Sequence, residues 1–169
     1  MILIEAAVET LRSALAAEAG GAGRIELCAS LNDGGTTPSV GLTEAVIKHV
    51  RIPVFPMVRL RPGSFVYTDD ELDIMLRDVA ILRQLGADGL VFGALTADRR
   101  IDVNATTRVI ERAGSMPITF HRAFDRTPNL LESLDTLVQL GISRVLTSGG
   151  APTASDGVEQ LARLVHHAH

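Results

Sequence analysis

Three apolar runs in this chain carry charged or reactive side chains at every second position. Arg24, Glu26 and Cys28 alternate with Ile25, Leu27 and Ala29. Met57, Arg59 and Arg61 alternate with Val58 and Leu60, and Thr119, His121 and Ala123 alternate with Ile118, Phe120 and Arg122. In an extended strand, residues i and i+2 share a face, so each run gathers its reactive groups on one side. Near the start of the chain, Glu5 shares a face with Leu3 and Ala7. Arg59, Arg61 and Arg122 offer planar forks that match a carboxylate or a phosphate, which predicts a seat for a small anion. His121 lies in the dense polar cluster His121-Arg122-Ala123-Phe124-Asp125 and suits acid–base work. Cys28 and Met57 are soft donors of the type that copper(I) prefers, with His121 near them. The competing reading is structural. Buried charges must pair, so Glu26 with Arg59 would form an internal ion pair, and Cys28 would be a small buried hydrophobe.

These residues need strands and helices to hold them. Short β-branched runs near 2–8, 24–29, 53–60, 89–95, 117–123 and 144–148 alternate with helix-period segments near 9–19, 38–50, 69–85, 104–114, 129–140 and from about 156 onward. Six βα repeats predict an α/β fold with a parallel sheet and helices outside. Thr37-Pro38 and Thr127-Pro128 read as caps followed by a proline in the first turn, and Thr68-Asp69-Asp70-Glu71 reads as a capping box. Strands 2, 4 and 6 follow Gly21-Ala22-Gly23, Gly86-Ala87-Asp88 and Gly141-Ile142-Ser143, whereas strands 3 and 5 open with Pro53 and Pro117. This two-fold alternation predicts a TIM (β/α)8-type barrel built from βαβα modules. A full barrel takes eight units and about 250 residues, so residues 1–169 are expected to form a single, incomplete TIM barrel with six of eight βα units. Such an open edge is a pairing hazard, and closure by homo-oligomerisation is the expected remedy.

In a TIM barrel the reactive ends of the strands converge at one mouth. Arg59, Arg61, His121 and Arg122 fall at those ends. The loops Asn32-Asp33-Gly34-Gly35-Thr36-Thr37 and Thr147-Ser148-Gly149-Gly150 offer backbone N–H groups as further anion seats. His166, His167 and His169 at the chain's end are a lesser metal candidate.

Composition excludes other classes. The 169 residues carry 16 Lys plus Arg against 20 Asp plus Glu, a net charge of −4. Without a basic block, and with no tryptophan and only six Phe plus Tyr, nucleic acid is not an expected partner. No Gly-x-Gly-x-x-Gly follows the first strand, so no nucleotide cofactor is expected. A single cysteine excludes an internal disulfide and suits a reducing compartment. No secretory leader or membrane span is legible, which makes the cytoplasm the expected location.

Arg24-Ile25-Glu26-Leu27-Cys28, Gly34-Gly35-Thr36-Thr37-Pro38-Ser39, Asp88-Gly89-Leu90-Val91-Phe92-Gly93-Ala94-Leu95, Phe120-His121-Arg122-Ala123-Phe124-Asp125 and Arg144-Val145-Leu146-Thr147-Ser148-Gly149 together resemble the CutC copper homeostasis family, in order and along the whole chain. The resemblance implies a TIM barrel, a cytoplasmic protein and the binding or handling of copper(I). It also marks three departures. Ala7 stands where family members thought to bind copper carry a cysteine, leaving Cys28 as the one matching thiol. The family's Arg-Pro-Arg-Gly-Gly stretch reads Arg59-Leu60-Arg61-Pro62-Gly63, and family chains continue through two more βα units. Two readings stand beside copper handling. One is a TIM-barrel enzyme or binding protein for a small anionic metabolite, using Glu5, Glu26, Arg59, Arg61, His121, Arg122 and Asp125. The other is a non-functional truncation.

Overall fold

Six strand–helix units follow one another in the computed structural model, which describes residues 2–168. They are β1 (Glu5–Val8), α1 (Leu11–Ala19), β2 (Arg24–Leu27), α2 (Val40–His49), β3 (Val54–Pro56), α3 (Asp69–Gln84), β4 (Leu90–Phe92), α4 (Val103–Ala113), β5 (Ile118–Phe120), α5 (Leu130–Gln139), β6 (Arg144–Val145) and α6 (Val158–His167). All pairings between named strands are parallel, in the orders β1-β2-β3 and β4-β5-β6. A Met57–Val91 bridge and a bond from the Val58 N–H to the Val91 carbonyl (2.8 Å) join the two sets. The sheet therefore runs β1 to β6 in chain order. It curls: Arg24 on β2 and Arg144 on β6 both stack on the ring of Phe55 on β3, at 5.0 and 4.7 Å. Among the described residues β1 pairs only with β2, and β6 only with β5. The fold is thus α/β and TIM-like.

The strands are shorter than the apolar runs predict. Pro53 and Pro117 stand just outside β3 and β5, and the chain leaves the ladder early into loops, as after Leu27, where residues 31–33 wind into a 3₁₀ turn. Side-chain alternation continues beyond the ladder and sorts the two faces. Ile25, Leu27 and Val54 pack outward against Ala14 and Val46 of the first two helices. Leu90 and Phe92 pack outward among Met75, Val79, Leu82 and Val109. Phe120 packs outward with Phe124, Leu137 and Leu164. With the outer face committed to helices, Arg24, Glu26, Cys28, Met57, Arg59 and His121 have only the inner face.

The caps differ in part from expectation. Thr68 and Glu71 form the capping box, but α2 is capped by Ser39 and α5 by Asn129, each two residues later than predicted. The threonines are used elsewhere. The Thr37 hydroxyl accepts from the Arg59 N–H (2.9 Å), and the Thr127 hydroxyl donates to the Phe124 carbonyl (2.8 Å). Gly21, Gly86 and Gly141, after α1, α3 and α5, have positive φ, the left-handed conformation that ends a helix at low cost. No helix among the described residues is long and apolar enough to cross a membrane.

Candidate functional site

The interior is layered. At the floor, Glu5 pairs with Arg24, and the Arg144 Nε–H donates to the Thr119 hydroxyl (3.2 Å). Burial, with Arg24 as neighbouring cation, pulls the Arg144 pKa down. Glu5 is therefore a floor residue and lines no mouth.

Above it lie Glu26, Cys28, Met57 and Val91. The Cys28 Sγ–H donates to Glu26 Oε1 at 3.5 Å. Both side chains are almost fully excluded from solvent. Burial, reinforced by Glu5, raises the Glu26 pKa to about 7. Burial, reinforced by Glu26, pushes the Cys28 thiol upward as well, so Cys28 rests protonated. Gly35 leans on this layer with φ +83°. A Cβ there would lie 3.0 Å from Met57 Sδ and 3.1 Å from Cys28 Sγ. Both sulfurs thus border the backbone at a residue without a side chain. Glu26 and Arg59 form no ion pair; the expected internal pair is absent because Arg59 is held elsewhere.

Arg59 stands in the top layer, 4% exposed. Its Nη1 donates to the carbonyls of Asp33 (3.0 Å) and Gly35 (2.8 Å), and Nη2 donates to that of Gly63 (3.3 Å). Its Nε is buried with no partner. Neutral carbonyls bind the guanidinium, and among the described residues no carboxylate neutralises it. His121, also 4% exposed, accepts the Ala123 N–H at Nδ1 (3.2 Å). The ring proton therefore sits on Nε2, which is buried without a partner. Burial, with Arg59 adding repulsion, lowers the His121 pKa to about 3, so the imidazole is neutral. An orphaned buried donor costs about 1–3 kcal/mol, and this layer holds two. Phe65 covers both: its ring lies 4.9 Å from the Arg59 guanidinium and 5.0 Å from the His121 ring. A cavity of about 950 Å³ opens here, lined by Glu26, Met57, Arg59, Phe65, His121 and Asp125 among others.

The other predicted residues are engaged in the loops. Arg61 is outside the cavity: its Nη2 donates to Glu71 (2.9 Å) and the Val66 carbonyl (3.0 Å), and it stacks over Tyr67 at 5.3 Å. It lies further past the end of β3 than Met57 and Arg59, in a loop where alternation no longer governs direction. Arg122 and Asp125 reach the rim but bind each other at 2.9 Å. Burial raises the Asp125 pKa, yet hydrogen bonds from Thr147, Arg122, Gly150 and Ser148 outweigh this and hold it low.

Both predicted backbone anion seats are already spent. In the first, the N–H groups of Gly34, Gly35, Thr36 and Thr37 bond chain carbonyls. In the second, Ser148 and Gly150 donate to the Asp125 carboxylate, so the loop is folded around an anion of its own. The described residues hold no group of three or more His, Cys, Asp or Glu placed for a metal. His167 bonds Asp135 (2.7 Å) at the end of α6, and His169 lies outside the described residues.

Sequence reasoning missed Phe65, Gly93, Arg99 and Arg126. A Cβ at Gly93 would sit 2.5 Å from the His121 ring. Gly93 was legible only as one residue of the family motif at residues 88–95, with no role attached.

A family model described as the CutC family matches residues 2–169. The copper homeostasis protein cutC homolog of Drosophila melanogaster is 47% identical over 97% of this chain, and that of Homo sapiens 46% over 98%. The chain spans 64% and 61% of those relatives' lengths. The crystal structure of a Streptococcus agalactiae protein assigned as the copper homeostasis protein CutC superposes with a TM-score of 0.95 at 35% identity, covering 99% of this chain and 83% of that one.

Proposed function

The chain belongs to the CutC family, and on that premise we propose that it handles copper, holding copper(I) between Cys28 and Met57. Thiolate and thioether are the ligands this ion prefers. The observation that supports the reading is that both sulfurs stand against Gly35, Met57 Sδ 3.0 Å and Cys28 Sγ 3.1 Å from where a Cβ would be. Ala7 supplies no second thiol, so Met57 is the second sulfur. Binding as a thiolate releases the Cys28 proton, and Glu26 is the acceptor in contact with it. The six units read as six of the eight of a (β/α)8 barrel, in a single domain over residues 1–169, acting in the cytoplasm and associating with itself through the exposed edges β1 and β6.

The test is competitive titration of copper(I) against a chelator, on the wild-type chain, Cys28→Ser and Met57→Leu. One site is expected, lost in Cys28→Ser and weakened by about tenfold or more in Met57→Leu. Binding that is absent, or unchanged by Cys28→Ser, would overturn the reading.

A further inference from the structure

The top layer has no role in holding copper at the two sulfurs, yet it carries the clearest unmet chemistry in the molecule. Arg59 Nε and His121 Nε2 are both buried N–H donors with no acceptor at full hydrogen-bonding distance; the Tyr67 hydroxyl is the polar neighbour of the Arg59 guanidinium. Arg59 and His121 both line one cavity, with these two nitrogens buried behind its surface. The Arg59 charge has no carboxylate partner, and Arg59 is held in place by carbonyls of two separate loops. His121 is fixed by its bond from Ala123 and by the space at Gly93. The chain carries −4 overall, but four arginines (Arg59, Arg99, Arg122 and Arg126) line this cavity against three acidic residues, one of which, Asp125, is paired to Arg122. The rest of the wall is largely apolar, with Leu31, Phe65, Leu95 and Leu146.

We infer that the cavity is a binding site for a small carboxylic acid with an apolar body, whose carboxylate oxygens accept from Arg59 Nε and His121 Nε2. Two donors on separate side chains, one charged and one neutral, match a single negative charge shared over two oxygens. Phosphate fits less well, because the backbone N–H groups that would cradle it are bonded to the chain or to Asp125. Phe65 lies over both donors, so the ligand enters by displacing that ring. Its apolar body then takes the ring's place against Leu95 and Leu146.

The probe is benzoate, with uncharged benzamide and inorganic phosphate as comparisons, added to metal-free ¹⁵N-labelled protein. Benzoate is expected to shift the side-chain resonances of His121 Nε2 and Arg59 Nε, and benzamide to leave them in place. Titration should show Arg59→Lys binding benzoate at least about tenfold more weakly, because an ammonium lacks the fork. Arg61→Ala should bind within about twofold of wild type, its guanidinium being paired outside the cavity. Cys28→Ser should retain benzoate binding, which separates this site from the copper reading. Three results would overturn the inference: benzamide matching benzoate, phosphate binding more tightly than benzoate, or shifts confined to the exposed Arg99 and Arg126. The wild-type spectra decide the question even where Arg59→Lys fails to fold.

Discussion

Gly93 leaves the space that His121 fills: a Cβ at residue 93 would stand 2.5 Å from both Cε1 and Nδ1 of the imidazole, and 3.2 Å from the Ala123 Cβ. The ring is buried and pinned by its neighbours, so it cannot yield freely. Gly93→Ala should cost about 1–3 kcal/mol, as overpacked cores do, measured by urea unfolding. It should also weaken benzoate binding. Gly41→Ala is the control. It lies in the first turn of α2 with open space around its Cβ position and no positive φ, and should stabilise by about 0.4–1 kcal/mol.

His121 also sets a pH dependence. Its pKa is lowered from 6.5 to about 3 by burial and by the charge of Arg59. Between those values the unfolded chain binds the proton and the folded chain does not, so stability rises with pH across that window. The contribution is full above 6.5 and drains away as pH falls towards 3. Urea midpoints measured from pH 7 to 4 should fall less steeply in His121→Gln than in wild type. Equal slopes would contradict the buried, neutral ring.

Asp125 organises the loop at residues 147–151. Its carboxylate accepts from the Ser148 and Gly150 N–H groups and from the Thr147 hydroxyl. Asp125→Asn replaces one oxygen with a donor that faces donors, and should cost about 1–3 kcal/mol. Amide hydrogen exchange at Ser148 and Gly150 should accelerate while exchange in β2 stays unchanged.

Arg61 offers a contrast from the loop after β3. Its partner Glu71 sits in the capping box of α3, and the pair is partly exposed. Arg61→Ala should therefore cost no more than about 1 kcal/mol by urea unfolding. A larger loss would mean that the loop at residues 61–67 supports the core.

The inner face was legible because alternation has a period of two and helices claim the apolar side. That logic placed Arg24, Glu26, Cys28, Met57, Arg59 and His121 inside, and the structure sets them there. It reached a few residues past the strand ends and no further. Arg61 lies beyond the ladder and turned to α3. The glycine loops read as seats for an outside anion, because a sequence displays N–H groups but not who accepts from them. Asp125 and the chain's own carbonyls had already done so. Ion pairing was equally hard to read. Glu26 and Arg59 were the plausible couple, but Arg59 found three carbonyls and Glu5 found Arg24.

Tyr67 stands two residues from Phe65, its ring beneath Arg61 and its buried hydroxyl beside the Arg59 guanidinium. The chain has no tryptophan and no other tyrosine. Its intrinsic emission on excitation near 280 nm therefore comes from one phenol, on the loop that carries the cover of the mouth. A ligand that lifts Phe65 changes the surroundings of that phenol, so the protein is its own optical gauge of occupancy, with no dye and no engineered label.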